Sequence, residues 1–136
     1  MADKVRRVDY FYAEVADQPG EGARILGKLK DAGVNLLAFT AFPGVAGKAQ
    51  IDFVPENSEA FAKAAKAAGV TLSAKKQALF VQGADRVGAA AELLKKLADA
   101  KINVRATNGC ASERGFGVIV WVKPEDFQAA AKALGA

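Results

Sequence analysis

Two stretches decide how this chain reads: ADQPGEGARILGKLKDAGVN, residues 16–35, and ADRVGAAAELLKKLADAKIN, residues 84–103. The second follows the first by 68 positions, and about half of the paired residues are identical. Each runs Asp-x-x-Gly, then apolar residues at helical spacing, then Asn. In the first copy the helical positions are Ala23, Ile25, Leu26 and Leu29. In the second they are Leu93, Leu94 and Leu97. That period buries one face of a helix.

The flanking segments repeat as well. VDYFYAEV, residues 8–15, is aromatic and alternating, which predicts a strand. Phe11, Ala13 and Val15 would share one face, and Tyr10, Tyr12 and Glu14 the other. A helix over 22–32 ends at Gly33, a residue suited to a left-handed cap. Strands follow at 34–42 and 49–54, separated by the turn PGVAGK. An Ala-rich helix then opens after Pro55, capped by Asn57 or Ser58, and stops at Gly69. VTLSA, residues 70–74, reads as a fourth short strand. The second pass gives a strand over 77–83, a helix over 87–100, strands over 102–109 and 115–122, and a last helix from Pro124.

The pattern is β-α-β-β-α-β, which defines an α+β fold of two tandem ferredoxin-like units, residues 1–75 and 76–136. Each has an antiparallel sheet with its helices on one face. The second copy ends at its last helix and has no fourth strand of its own. A sheet edge left open is a pairing template, so another part of this chain or a second chain is expected there. A unit of this size buries too little surface to be stable alone. VIVWV and ALFV are apolar at both parities, so both faces of those strands should be buried. The copies are expected to pack on each other or on copies in a second chain.

Composition excludes several function classes. The 136-residue chain contains no histidine and one cysteine, Cys110. Serine-histidine and cysteine-histidine nucleophile schemes are therefore impossible, and the commonest transition-metal ligand is missing. No phosphate-binding glycine loop of recognised spacing occurs. The residues point to no cofactor, no metal and no enzyme. The net charge of +4 is spread among interleaved acids and bases, the pattern of a solvated surface rather than a nucleic-acid footprint. No apolar run reaches the roughly 20 residues of a membrane span, and MADKVRRVDYFY lacks the apolar stretch of a secretory signal. A soluble cytoplasmic protein with no membrane partner is expected.

Asp17-Gln18-Pro19-Gly20 and Ala32-Gly33-Val34-Asn35, set in this strand order, resemble the ACT domain. The second copy keeps Asp85 and Gly88, places Val87 where the first has proline, and replaces the cap glycine with Lys101. The resemblance covers nearly the whole chain. It implies a free-standing sensor that binds a small ligand, usually an amino acid, at an interface between units. It further implies a homodimer acting on a protein target. The loop of Asp17, Gln18, Pro19 and Gly20 would supply backbone N–H groups, with Asn35 reaching the interface from a neighbouring unit. Asp85, Gly88 and Asn103 are the corresponding residues of the second copy. The plainer roles are helix capping for Asp17 and Asp85 and turn geometry for Asn35 and Asn103. Losing the proline and the glycine suggests a relaxed loop in the second copy.

A competing resemblance is to the RNA-recognition motif. It rests on LFVQG (79–83) and ERGFGVIVW (113–121), in which Phe80 and Phe116 would stack bases. Val118 stands where a second aromatic is wanted, and the first copy offers Gln50 and Asp52 instead.

Overall fold

The computed structural model describes residues 2–136. The chain divides into two compact units. One is Asp9–Lys76; the other joins residues 2–8 to Gln77–Ala136. The sequence reading assigns residues 1–8 to the first unit, whereas residues 2–8 cluster with the second.

In the N-terminal unit, the second half of strand β1 (Lys4–Ala16) leads into helix α1 (Glu21–Asp31). Strands β2 (Leu36–Pro43) and β3 (Lys48–Pro55) and helix α2 (Ser58–Ala67) follow. The strand order is β2-β3-β1, all antiparallel, with Phe11 opposite Phe53 and Tyr12 opposite Asp52. Phe11, Ala13, Ile51 and Phe53 face Ile25 and Leu29 of α1 and Phe61 of α2 in one core. Phe61 lies 5.1 Å from the Phe53 ring and 5.3 Å from Phe11. Asn57 caps α2, its Oδ1 accepting the Ala60 N–H at 2.9 Å.

The fourth strand expected at 70–74 is not a regular strand. The segment meets β1 at one point. The Ser73 N–H donates to the Tyr12 carbonyl at 2.8 Å, and the Tyr12 N–H donates to Ser73 Oγ at 3.0 Å. A hydroxyl takes the place of the ladder carbonyl, so the pairing stops there.

In the C-terminal unit, strand β4 (Lys76–Gly83) leads to helix α3 (Ala89–Asp99). Strands β5 (Val104–Ser112) and β6 (Gly115–Val122) follow, then a short 3₁₀ turn, Pro124–Asp126, and helix α4 (Phe127–Leu134). The strand order β1-β4-β6-β5 answers the question of the missing fourth strand: the beginning of β1 takes that place. Val5 packs against the core of Leu79, Val81, Leu93, Leu97, Val120 and Phe127. Arg6 Nη2 donates to Gln82 Oε1 at 3.2 Å, and its guanidinium lies 5.0 Å above the Phe80 ring. Ala78, Phe80, Ile119 and Trp121 alternate with that core and are buried on the opposite face of the sheet, as their apolar character at both parities predicts.

Candidate functional site

The two Asp-x-x-Gly loops have the same backbone. Gly20 and Gly88 precede α1 and α3 in the left-handed region, with φ of 90° and 87°. The Glu21 N–H donates to the Gln18 carbonyl at 3.3 Å, and Ala89 donates to Arg86 at 3.3 Å. The Arg24 and Glu92 amides return to Gly20 and Gly88, each at 2.9 Å. At the far ends of the helices, Val34 donates to Leu29 and Ile102 to Leu97, again both at 2.9 Å. Every one of these bonds repeats at the 68-residue offset. The second loop is therefore not relaxed by losing its proline; the glycine and the hydrogen bonds hold it.

Neither Asp17 nor Asp85 caps its helix. The N-cap positions fall on Gly20 and Gly88, and no side chain caps either helix. Both aspartates are exposed and make no side-chain hydrogen bond or ion pair among the described residues. The Asp17 N–H donates to the Gly47 carbonyl at 3.0 Å, which ties this loop to the β2–β3 turn. Gln18, Pro19 and Gly20 are exposed beside it. The uncapped first-turn amides and the positive end of the helix dipole suit an anion. Glu21 sits in that turn, but Arg24 pairs with it at 2.6 Å. That hydrogen bond, with help from Gln18, holds the Glu21 carboxyl below its usual range.

Asn35 lies past the other end of α1. Its Nδ2 donates to Glu56 Oε2 at 3.1 Å, and its carbonyl accepts the Glu56 N–H at 3.0 Å. Eleven residues of helix span about 16 Å, more than an amino acid can bridge. One unit therefore does not bring Asp17 and Asn35 to the same small ligand. Asp85 and Gly88 stand apart from exposed Asn103 in the same way, across the 11 residues of α3.

Sequence reasoning missed a cluster at the second loop. Arg86 donates to both oxygens of Asp3, at 3.1 and 3.2 Å, and to Glu92 Oε2 at 2.8 Å. Those two carboxylates raise the guanidinium pKa further above its ordinary value. Asp3 and Arg86 are 83 positions apart, so no local pattern announces the contact. Among the described residues, no group of three or more His, Cys, Asp or Glu is placed to hold a metal ion. No helix among them is long and apolar enough to cross a membrane.

The rings of the competing reading do not make a stacking surface. Phe116 belongs to the core beneath α3 and α4, while Phe80 points to the other face of the sheet. Both are buried, at 9% and 8% exposure.

No family model matches the chain, and no curated protein matches it. Solved structures do. Protein BT0572 from Bacteroides thetaiotaomicron superposes with a TM-score of 0.83 at 14% identity, over 96% of this chain and 88% of that one. The ligand-free regulatory subunit of aspartate kinase from Thermus thermophilus gives a TM-score of 0.71 at 15% identity, over 99% and 95%. The chain has the tandem ACT fold. The corresponding subunit from Thermus flavus gives 0.63 at 16% identity, over 99% and 95%. That fold accounts for the duplicated loops and for the helices on one face of each sheet.

Proposed function

We propose that this chain is a non-catalytic regulatory protein that binds a small ligand, an amino acid, between ACT units. The observation that carries the proposal is the loop before α1. There an unpartnered Asp17 carboxylate and an uncapped helix start lie exposed together. A carboxylate of the ligand would meet the first-turn amides behind Gly20, while Asp17 accepts from its ammonium group. Gln18 and Pro19 shape the loop between them. The helix length separating Asp17 from Asn35 makes the site composite, with Asn35 of a neighbouring unit completing it. Asp85, Gly88 and Asn103 would form the equivalent site of the second copy.

We infer a homodimer, as the resemblance implies, with a unit of the second copy supplying the other half of each site. The likeness to regulatory subunits of aspartate kinase supports a role in control rather than in chemistry. The output would be a change in assembly or an action on a protein target. Thermal unfolding against each of the twenty amino acids tests the proposal. A ligand specific to the folded state stabilises by about 2.7 kcal/mol at a hundredfold excess over Kd, which moves the midpoint by several degrees. A shift with one or two amino acids supports the sensor. A shift with a short RNA pool alone, weakening with salt, sinks it and revives the RNA-binding alternative.

A further inference from the structure

We propose that β5 is a docking edge for a partner protein, which it engages by taking up an extended, acidic segment as an added strand. β5 is the outer strand of the C-terminal unit, with β6 on one side and no strand on the other. Val104 is half-buried and the other eight residues are exposed. In an antiparallel ladder every second residue directs its N–H and C=O away from its neighbour, so this edge presents a row of donors and acceptors.

The usual guards of an edge are confined to its start. A register shift lies between Val104 and Ala106, and Arg105 within it is the one charge of the strand. Residues 106–112, ATNGCAS, contain no charge, no proline, no ring and no long side chain. Nothing there blocks an incoming backbone. The other outer strand, β2, has an irregularity of its own and ends in Pro43.

Charge selects the occupant. The C-terminal unit holds 11 Lys and Arg against 7 Asp and Glu, whereas the N-terminal unit is balanced at 8 of each. The whole excess of +4 therefore belongs to the unit that carries β5. Residues 101–123 contain Lys101, Arg105, Arg114 and Lys123, with Glu113 as the single acid. Lys101 and Arg105 stand at one end of β5, and Arg114 lies in the turn at the other. Lys123 follows Val122, the cross-strand partner of Val104. All four cations are exposed, and none makes a side-chain hydrogen bond or ion pair among the described residues. A strand with acids near its ends gains at both ends of this edge. A second β5 would bring the same excess of positive charge and be repelled. The main chain supplies the pairing and the free cations set the preference for acidic sequence. This surface is independent of the ligand loop at Asp17 and gives the protein a means of reaching a target.

Fluorescence anisotropy of the full chain with a labelled peptide, Glu-Val-Thr-Val-Thr-Val-Glu, tests this. We expect saturable binding that weakens with salt. Affinity should fall about tenfold when lysine replaces the peptide's glutamates, or in Arg105→Glu/Arg114→Glu. Methylation of alternate peptide nitrogens on the pairing edge should abolish it, because the charge is kept and the ladder donors are lost. Bound peptide should slow hydrogen exchange at alternate amides of residues 106–112. Both arginines are exposed, and an unaltered unfolding midpoint confirms that the variant folds. No binding at millimolar peptide overturns the proposal. So does equal affinity for the methylated peptide, which leaves charge alone, or tighter binding of a short RNA. Protection of the same amides without peptide, rising with protein concentration, assigns the edge to a second copy and overturns it as well.

Discussion

Gly33 and Lys101 occupy the same position of the two repeats and share one backbone conformation, left-handed with φ of 72° and 62°. The Gly33 N–H donates to the Lys30 carbonyl and the Lys101 N–H to the Ala98 carbonyl, both at 2.9 Å. The duplicated unit thus imposes the helix ending even where its glycine is gone. An L side chain in that region costs free energy that glycine avoids, because its Cβ crowds the following carbonyl.

Lys101→Gly should therefore stabilise the protein by roughly 1 kcal/mol, and Gly33→Ala should destabilise it by a similar amount. Urea denaturation of the two variants measures both. If Lys101→Gly is destabilising, the side chain contributes something that the backbone argument omits.

Asp52 is buried on β3, where its Oδ1 accepts from Gln50 Nε2 at 2.9 Å. Burial pushes its carboxyl above the ordinary 3.8, against the Gln50 hydrogen bond and the nearby Lys76 charge, which pull it down. The Lys76 ammonium lies 5.6 Å from the ring centre of Tyr12, the cross-strand neighbour of Asp52. A raised folded pKa means that the neutral acid fits the fold better than the anion. The stability it gives is complete below the unfolded pKa and is lost as pH rises through the folded one. Asp52→Asn should melt above the parent at pH 7, with the gap closing as pH falls toward 3.8. A gap of constant size across that window would contradict the account.

Residues 3–5 are held to the rest of the C-terminal unit by Val5, which packs against its core at the start of β1, and by the Asp3–Arg86 pair just before that strand. Val5→Asp places a charge against that core and should cost about 2–4 kcal/mol. Release of this strand leaves β4 as a sheet edge, which invites association. Amide exchange should quicken along β4 before it does along β3, and light scattering should rise. Uniform exchange throughout would show that residues 2–8 are not a separable fourth strand.

Much of this was legible in the sequence. The 68-residue repeat gave the helices to within a few residues, and the alternation of Phe11, Ala13 and Val15 placed them on the buried face. The early start of β1 at Lys4 was hidden because Arg6 and Arg7 read as surface charge. Both set their guanidinium groups over rings, Arg7 5.7 Å from the Phe127 ring centre and Arg6 5.0 Å from that of Phe80. The segment at 70–74 has strand composition, but Ser73 Oγ takes the place of a backbone acceptor there, and residue type alone does not signal that. The loops were legible as conformations, through Gly20 and Gly88. Their chemistry was less so, because Asp17 and Asn35 sit at opposite ends of one helix and pairing copies is not written in a single repeat.

The most direct test of the central claim is amide chemical-shift mapping of the full chain with the amino acid that most raises the unfolding midpoint. The account predicts the largest perturbations at Gly20, Glu21, Gly22 and the Asn35 side-chain amide, all lost in Asp17→Ala/Asn35→Ala. A saturable shift that leaves these groups unmoved would contradict a ligand site between ACT units at this loop.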